Sequence, residues 1–128
     1  MYAIRMNVTT NGSGAGSVTI PFEAFPCQEP GISPLLLYAV EWIDGDFADG
    51  VDAVLSAETT PSGVARTLLT LTDANSDAWY FPRELEHGNN GAVLSTHTLP
   101  VVHGDLKLTI TSGGNAKTGG CIVYLLDA

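Results

Sequence analysis

Short apolar or β-branched runs with period two recur along this chain, each closed off by Gly, Pro, Asn, Asp or Ser. A side chain facing one way at every second residue is the signature of a half-buried strand. No segment sustains the i, i+3, i+4 spacing of an amphipathic helix. The runs are Tyr2 to Thr9, Ser17 to Phe22, Leu35 to Ile43, Asp52 to Ala57, Ala65 to Thr72, Ala78 to Phe81, Leu94 to Val102 and Asp105 to Thr111, with Gly120 to Leu126 as a ninth. Asp105 to Thr111 alternates most cleanly, with Leu106, Leu108 and Ile110 on one side and Lys107, Thr109 and Thr111 on the other. Such a strand has one wet face.

Eight or nine short strands in 128 residues fit one domain spanning residues 1–128. A folded chain of 13.4 kDa should expose roughly 6,500 Å², enough burial for a self-sufficient core. The expected architecture is an all-β antiparallel sandwich, jelly-roll-like and poor in helix, and no immunoglobulin-type Cys and Trp spacing competes with it. Between the last two runs lies Ser112 to Gly119, rich in the Gly and Asn that a hairpin tip favours. The last two strands are therefore expected to be antiparallel neighbours. Thr9 to Ser17 is the most flexible composition, either a long hairpin tip or the hinge of an exchanging N-terminal arm over residues 1–16.

Charge narrows the choice of partners. Fourteen acidic residues against five Lys and Arg give a net charge of −9. Neutralising phosphates takes clustered cations, so nucleic acid and anionic membranes are excluded as expected partners. The longest apolar run, Leu35 to Val40, is far short of a membrane span, and the first residues lack the basic-then-apolar order of a secretory signal. A soluble protein made in the cytoplasm is expected. With only 15% charged residues, it is also expected to keep apolar surface paired with another molecule.

The sequence offers little reactive chemistry. Glu41, Asp44, Asp46, Asp49 and Asp52 cluster, but a calcium loop starting at Asp44 would place Ala48, Asp49 and Leu55 where a ligand, a glycine and a bidentate Glu belong. His87, His97 and His103 follow no metal spacing, and Cys27 and Cys121 read as two free thiols. There is no GxSxG, and Gly12 to Gly16 leads into a β-type run rather than a phosphate-binding helix. The expectation is a non-enzyme with no cofactor and no metal.

One segment stands apart. Trp79-Tyr80-Phe81-Pro82-Arg83 places three aromatics in a row, and in a strand Trp79 and Phe81 point away from the face that Tyr80 occupies. One face belongs to the core and the other is a candidate contact patch of aromatic and Arg character.

Asp77 to Arg83, followed by Gly104 to Ile110 and then Gly113-Gly114-Asn115-Ala116-Lys117-Thr118-Gly119 before Val123-Tyr124, resembles small phage proteins encoded beside the major capsid protein. That group includes capsid decoration, or cement, proteins. The resemblance covers roughly Thr67 to Leu126 and rests on turn and strand patterns rather than catalytic signatures. It implies a protein on the outer surface of a tailed-phage head that clamps neighbouring copies of the major capsid protein against internal DNA pressure, with a homodimeric or other self-contact at a symmetry axis. Under that expectation the candidate contacts are Trp79, Tyr80, Phe81 and Arg83, the arm from Tyr2 through Ile4 to Val8, and the loop carrying Asn115 and Lys117. The competing expectation is a carbohydrate- or receptor-binding module of a phage head or tail, with Trp42, Trp79 or Tyr80 stacking on sugar rings.

Overall fold

The computed structural model describes residues 1–128 as eleven strands and one short 3-10 turn, Phe22–Ala24. The strands are β1 (Tyr2–Thr9), β2 (Gly16–Ile20), β3 (Leu35–Ile43), β4 (Asp52–Glu58), β5 (Arg66–Leu71), β6 (Ala78–Tyr80), β7 (Glu84–His87), β8 (Val93–Thr98), β9 (Val101–Val102), β10 (Asp105–Thr111) and β11 (Thr118–Asp127). They form two antiparallel sheets and a separate ribbon. The first sheet has the order β1-β11-β3-β6, with β9 also on β3, and the second has β2-β10-β4-β5. The ribbon consists of β7 and β8 alone.

The expected all-β sandwich is what forms, because alternation gives each sheet one apolar face. Ile4, Met6 and Val8 on β1 face inward beside Val123 and Cys121 of β11, and Leu55 and Ala57 of β4 do so beside Leu108 and Leu106 of β10. The two inner faces merge into one core centred on Trp42, Phe25, Leu37 and Leu125. Trp42 can sit there because its indole Nε1 donates a 2.9 Å hydrogen bond to the Ala74 carbonyl, leaving no buried donor unpaired. The accessible surface, 6652 Å², agrees with the value expected from the chain's mass.

The unbroken apolar run Leu35 to Val40 gives no hint of which side faces in. A bulge decides it. Tyr124 pairs with Ala39 but Leu125 pairs with Leu37, so Tyr38 is the extra residue. Leu35 and Leu37 point inward before the bulge and Val40 and Trp42 after it, while Tyr38 is turned out to solvent.

Three expectations are corrected. The last two strands are not hairpin neighbours, since β10 belongs to one sheet and β11 to the other. The segment between them crosses the sandwich and is held by tertiary bonds: Gly113 N–H donates to the Gly14 carbonyl, Ala48 N–H to that of Gly113, and the Thr10 hydroxyl to that of Gly114. The residues from Tyr2 to Thr9 are not an arm, because they pair along their full length with β11. The run from Leu94 to Val102 is two strands parted by Leu99-Pro100, and an unforeseen strand, β7, pairs with the first of them.

Consecutive strands change sheet at almost every step, the exceptions being β4 to β5 and the ribbon pair β7 to β8. Gly120 lies where β11 crowds β1, and any side chain there would overlap the Met6 carbonyl oxygen.

Candidate functional site

The two outer faces of the sandwich differ in chemistry. Along the second sheet the outward residues include Ser17, Thr19, Ser56, Thr67, Thr70, Lys107 and Thr109. These hydroxyls are at home in water. Along the first sheet three outward cross-strand rows lie together: Val101, Leu36 and Leu126; then Ala39, Tyr124 and Ala3; then Trp79, Glu41, Ile122 and Arg5. These three rows are mostly carbon although they face away from the core, whereas the far end of the sheet, with Asn7, Thr9 and Thr118, is polar.

Trp79 and Tyr124 organise this face. Their rings stack at 5.2 Å between centroids and 25° between planes. The Tyr124 hydroxyl donates to Glu41 Oε1 at 3.1 Å. Desolvation, reinforced by that bond, raises the phenol above its usual pKa. Stacking covers one face of the indole and leaves Trp79 still 52% exposed. Tyr80, one residue on, turns inward against the core as strand parity requires.

Beyond the end of β6, Phe81 is 54% exposed and meets Tyr38 edge-on at 6.2 Å. Arg83 lies over the Tyr38 ring at 5.8 Å and donates to the Tyr38 carbonyl at 3.0 Å. The bulge that turns Tyr38 outward thus places it where both residues reach it. Trp79, Phe81 and Arg83 therefore share one continuous surface, and Tyr80 does not belong to it.

The β7–β8 ribbon leaves the sandwich directly after Arg83. Its root is tied by Arg66 of β5, whose guanidinium pairs with the Glu84 carboxylate and donates to the Val101 carbonyl. Beyond the root, Leu85, Val93 and Leu94 are all exposed, Val93 by 61%. The sequence hid this element because Glu84-Leu85-Glu86-His87 carries a single apolar residue. Its exposed apolar side chains are visible only once the ribbon is seen to leave the core.

The remaining candidates lie elsewhere. Ile4 is buried in the core and offers no contact surface. Tyr2, on the same inward face, packs at the core's margin and donates its hydroxyl to Asp127 Oδ2 at 2.9 Å. Asn115 is exposed and Lys117 half-buried in the crossing segment, where the Lys117 N–H donates to the Thr10 hydroxyl. That segment is braced against its neighbours and sits apart from the aromatic face.

The acidic loop is used locally. Asp77 accepts from the Asp44 N–H, Asp46 from the Thr118 N–H and Asp52 from the Asp73 N–H. His87 and His97 lie on the ribbon, whereas His103 packs edge-on against Phe22 at 5.0 Å. Cys27 and Cys121 are free thiols, and burial pushes Cys121 up to about 12. No helix is long and apolar enough to cross a membrane.

Compared with protein-family models, curated proteins and solved structures, the chain matches none of them.

Proposed function

We propose that this chain is a non-enzymatic structural protein that binds a protein lattice through the outer face of the β1-β11-β3-β6 sheet. The lattice we assign is the outer surface of a tailed-phage head, where the chain cements adjacent major capsid subunits. The observation that carries the binding reading is the contrast between the two outer faces, hydroxyl-rich on one sheet and built on Trp79, Tyr124, Leu36, Ile122 and Leu126 on the other. An outward apolar sheet face with exposed aromatic and Arg side chains at its margin has the composition of an interface core. The resemblance of the Asp77 to Arg83 and Gly104 to Gly119 segments to phage decoration proteins supplies the identity of the lattice.

Strand order supports a jelly roll. Counting only the eight sandwich strands, the sheets run 1-8-3-6 and 2-7-4-5, the order that two interlocked Greek keys produce. Jelly rolls serve in both viral capsids and lectins, so the site rather than the fold selects the function.

A cement protein acts by linkage: binding the assembled shell and not the free subunit adds its binding free energy to the shell, once per copy. The test is co-sedimentation of the purified chain with mature heads and with immature shells of its phage. Saturable binding to the mature lattice, with heads made more heat-resistant, supports this reading. Binding to neither overturns it. The exposed indole of Trp79 favours one second reading, a carbohydrate-binding module, for which the isolated chain should bind glycans without any shell.

A further inference from the structure

We infer that the β7–β8 ribbon is a docking element that inserts into an apolar groove rimmed by Lys or Arg on the surface of a protein partner. This inference rests on the head-binding reading and deepens it, because it makes the groove a seam between capsid subunits.

Three observations lead there. First, the ribbon pairs only with itself. Two strands alone are marginal in water, and this pair has no sheet beneath it. Secondly, its exposed apolar side chains come from both strands, Leu85 from β7 and Val93 and Leu94 from β8. Both edges of the pair are unpaired as well, so a groove, which reaches the ribbon from more than one side, covers more of it than a flat surface does. Thirdly, the segment from Glu84 to Thr98 contains no Lys or Arg. Glu84 is already paired with Arg66, which leaves Glu86 as the exposed charge. A second copy of this chain, with a net charge of −9, would meet it with repulsion, whereas a cationic rim would attract it.

The root is built to present such an element. Arg66 binds both ends of the excursion, Glu84 as the chain leaves and the Val101 carbonyl as it returns. Arg83 fixes the residue before β7 to β3 through the Tyr38 carbonyl. Anchoring both strands at the root sets the direction of the ribbon and lowers the ordering cost on insertion.

The experiment compares wild type with Val93→Asp, Leu94→Asp and a ribbon shortened between Leu85 and His97, each co-sedimented with mature heads at low and high salt. Circular dichroism and the thermal midpoint serve as folding controls, which both point variants should pass because Val93 and Leu94 are solvent-exposed. The expected result is binding weakened about tenfold by each Asp, abolished by shortening, and weaker for wild type as salt rises. Wild-type affinity retained in all three folded variants overturns the ribbon inference and leaves the head-binding reading standing. Failure of wild type to bind heads overturns both. Ribbon-dependent self-association in sedimentation velocity makes a second copy the occupant and also overturns the inference.

Discussion

Trp79 reaches across β3 to stack on Tyr124, so the most exposed tryptophan rests on the central strand of its sheet although it belongs to the edge. Such a pair contributes about 0.5–1.5 kcal/mol beyond its buried area. Trp79→Ala should therefore cost stability only modestly, roughly 1 kcal/mol in urea titration, yet weaken binding to heads about tenfold. A large loss of stability with unchanged binding would make the stack a structural feature alone.

Arg66 joins β5 of one sheet to the root of the ribbon and to β9 of the other sheet. Its ion pair with Glu84 is 43% exposed on each side, so its contribution to global stability is small, about 0–1 kcal/mol. Arg66→Ala should leave the thermal midpoint nearly unchanged while hydrogen exchange speeds up selectively from Glu84 to Thr98. Uniform exchange changes across both sheets would contradict this.

Trp42 is the opposite case, a buried ring whose one polar atom is satisfied by Ala74. Trp42→Phe strands that carbonyl and opens space beside Phe47, whose ring stacks at 5.8 Å. A loss of about 2–4 kcal/mol is expected from equilibrium unfolding, the sum of a missing bond and a cavity.

Asp44 introduces a pH dependence of definite sign. Desolvation first, then the nearby Asp77 and Asp49, raise its carboxyl above the usual value. The folded state therefore holds this proton more tightly than the unfolded state. Its contribution to stability falls as pH climbs from the ordinary carboxylate range through the raised folded value, and the penalty is complete above that. Its Oδ1 is buried without a partner, which fits a site that disfavours charge. Asp44→Asn should raise stability at about pH 7 and converge with wild type at about pH 3, as read from thermal midpoints across pH.

The two thiols should differ in reactivity. Cys121 is buried, with its pKa pushed to about 12, whereas Cys27 is half-buried at the margin of the core. Native protein at about pH 8 should titrate one thiol rapidly and the second only after denaturation. Cys27→Ser should abolish the fast phase.

Where each side chain's local pattern agreed with its tertiary surroundings, the sequence was readable. Tyr2–Thr9 and Asp105–Thr111 match their observed limits and alternate without a break, and strand parity alone separates Trp79 from Tyr80. Applied to β1, the same parity sets Ile4 with Met6 and Val8 on the core side, against the expectation that Ile4 is a contact. Two failures had a common cause in long-range contacts. A Gly-rich segment such as Ser112 to Lys117 can close a hairpin or cross a sandwich, and the bonds that decide between them come from Thr10, Gly14 and Ala48. The β7 strand is held by pairing rather than burial, so Glu84 to His87 carries no apolar alternation to find. The aromatic face was half visible. Tyr124 joins Trp79 only because β11 lies between β1 and β3, a fact about topology that no local pattern encodes.

That placement of β11 also dictates when the molecule can assemble. The strand that separates β1 from β3 is the last of the eleven to be synthesised, so a growing chain holds both flanking strands without their shared neighbour until residues beyond Thr118 have left the ribosome. Ile4, Met6, Leu35 and Leu37 wait with it, their apolar side chains uncovered on the nascent chain. Closing the first sheet means bringing Tyr2 of the first strand and Leu125 of the last together. Loop-closure entropy has to be overcome before any pairing rewards it, which places this fold among the slow folders. Closure of the first sheet therefore waits on the synthesis of β11.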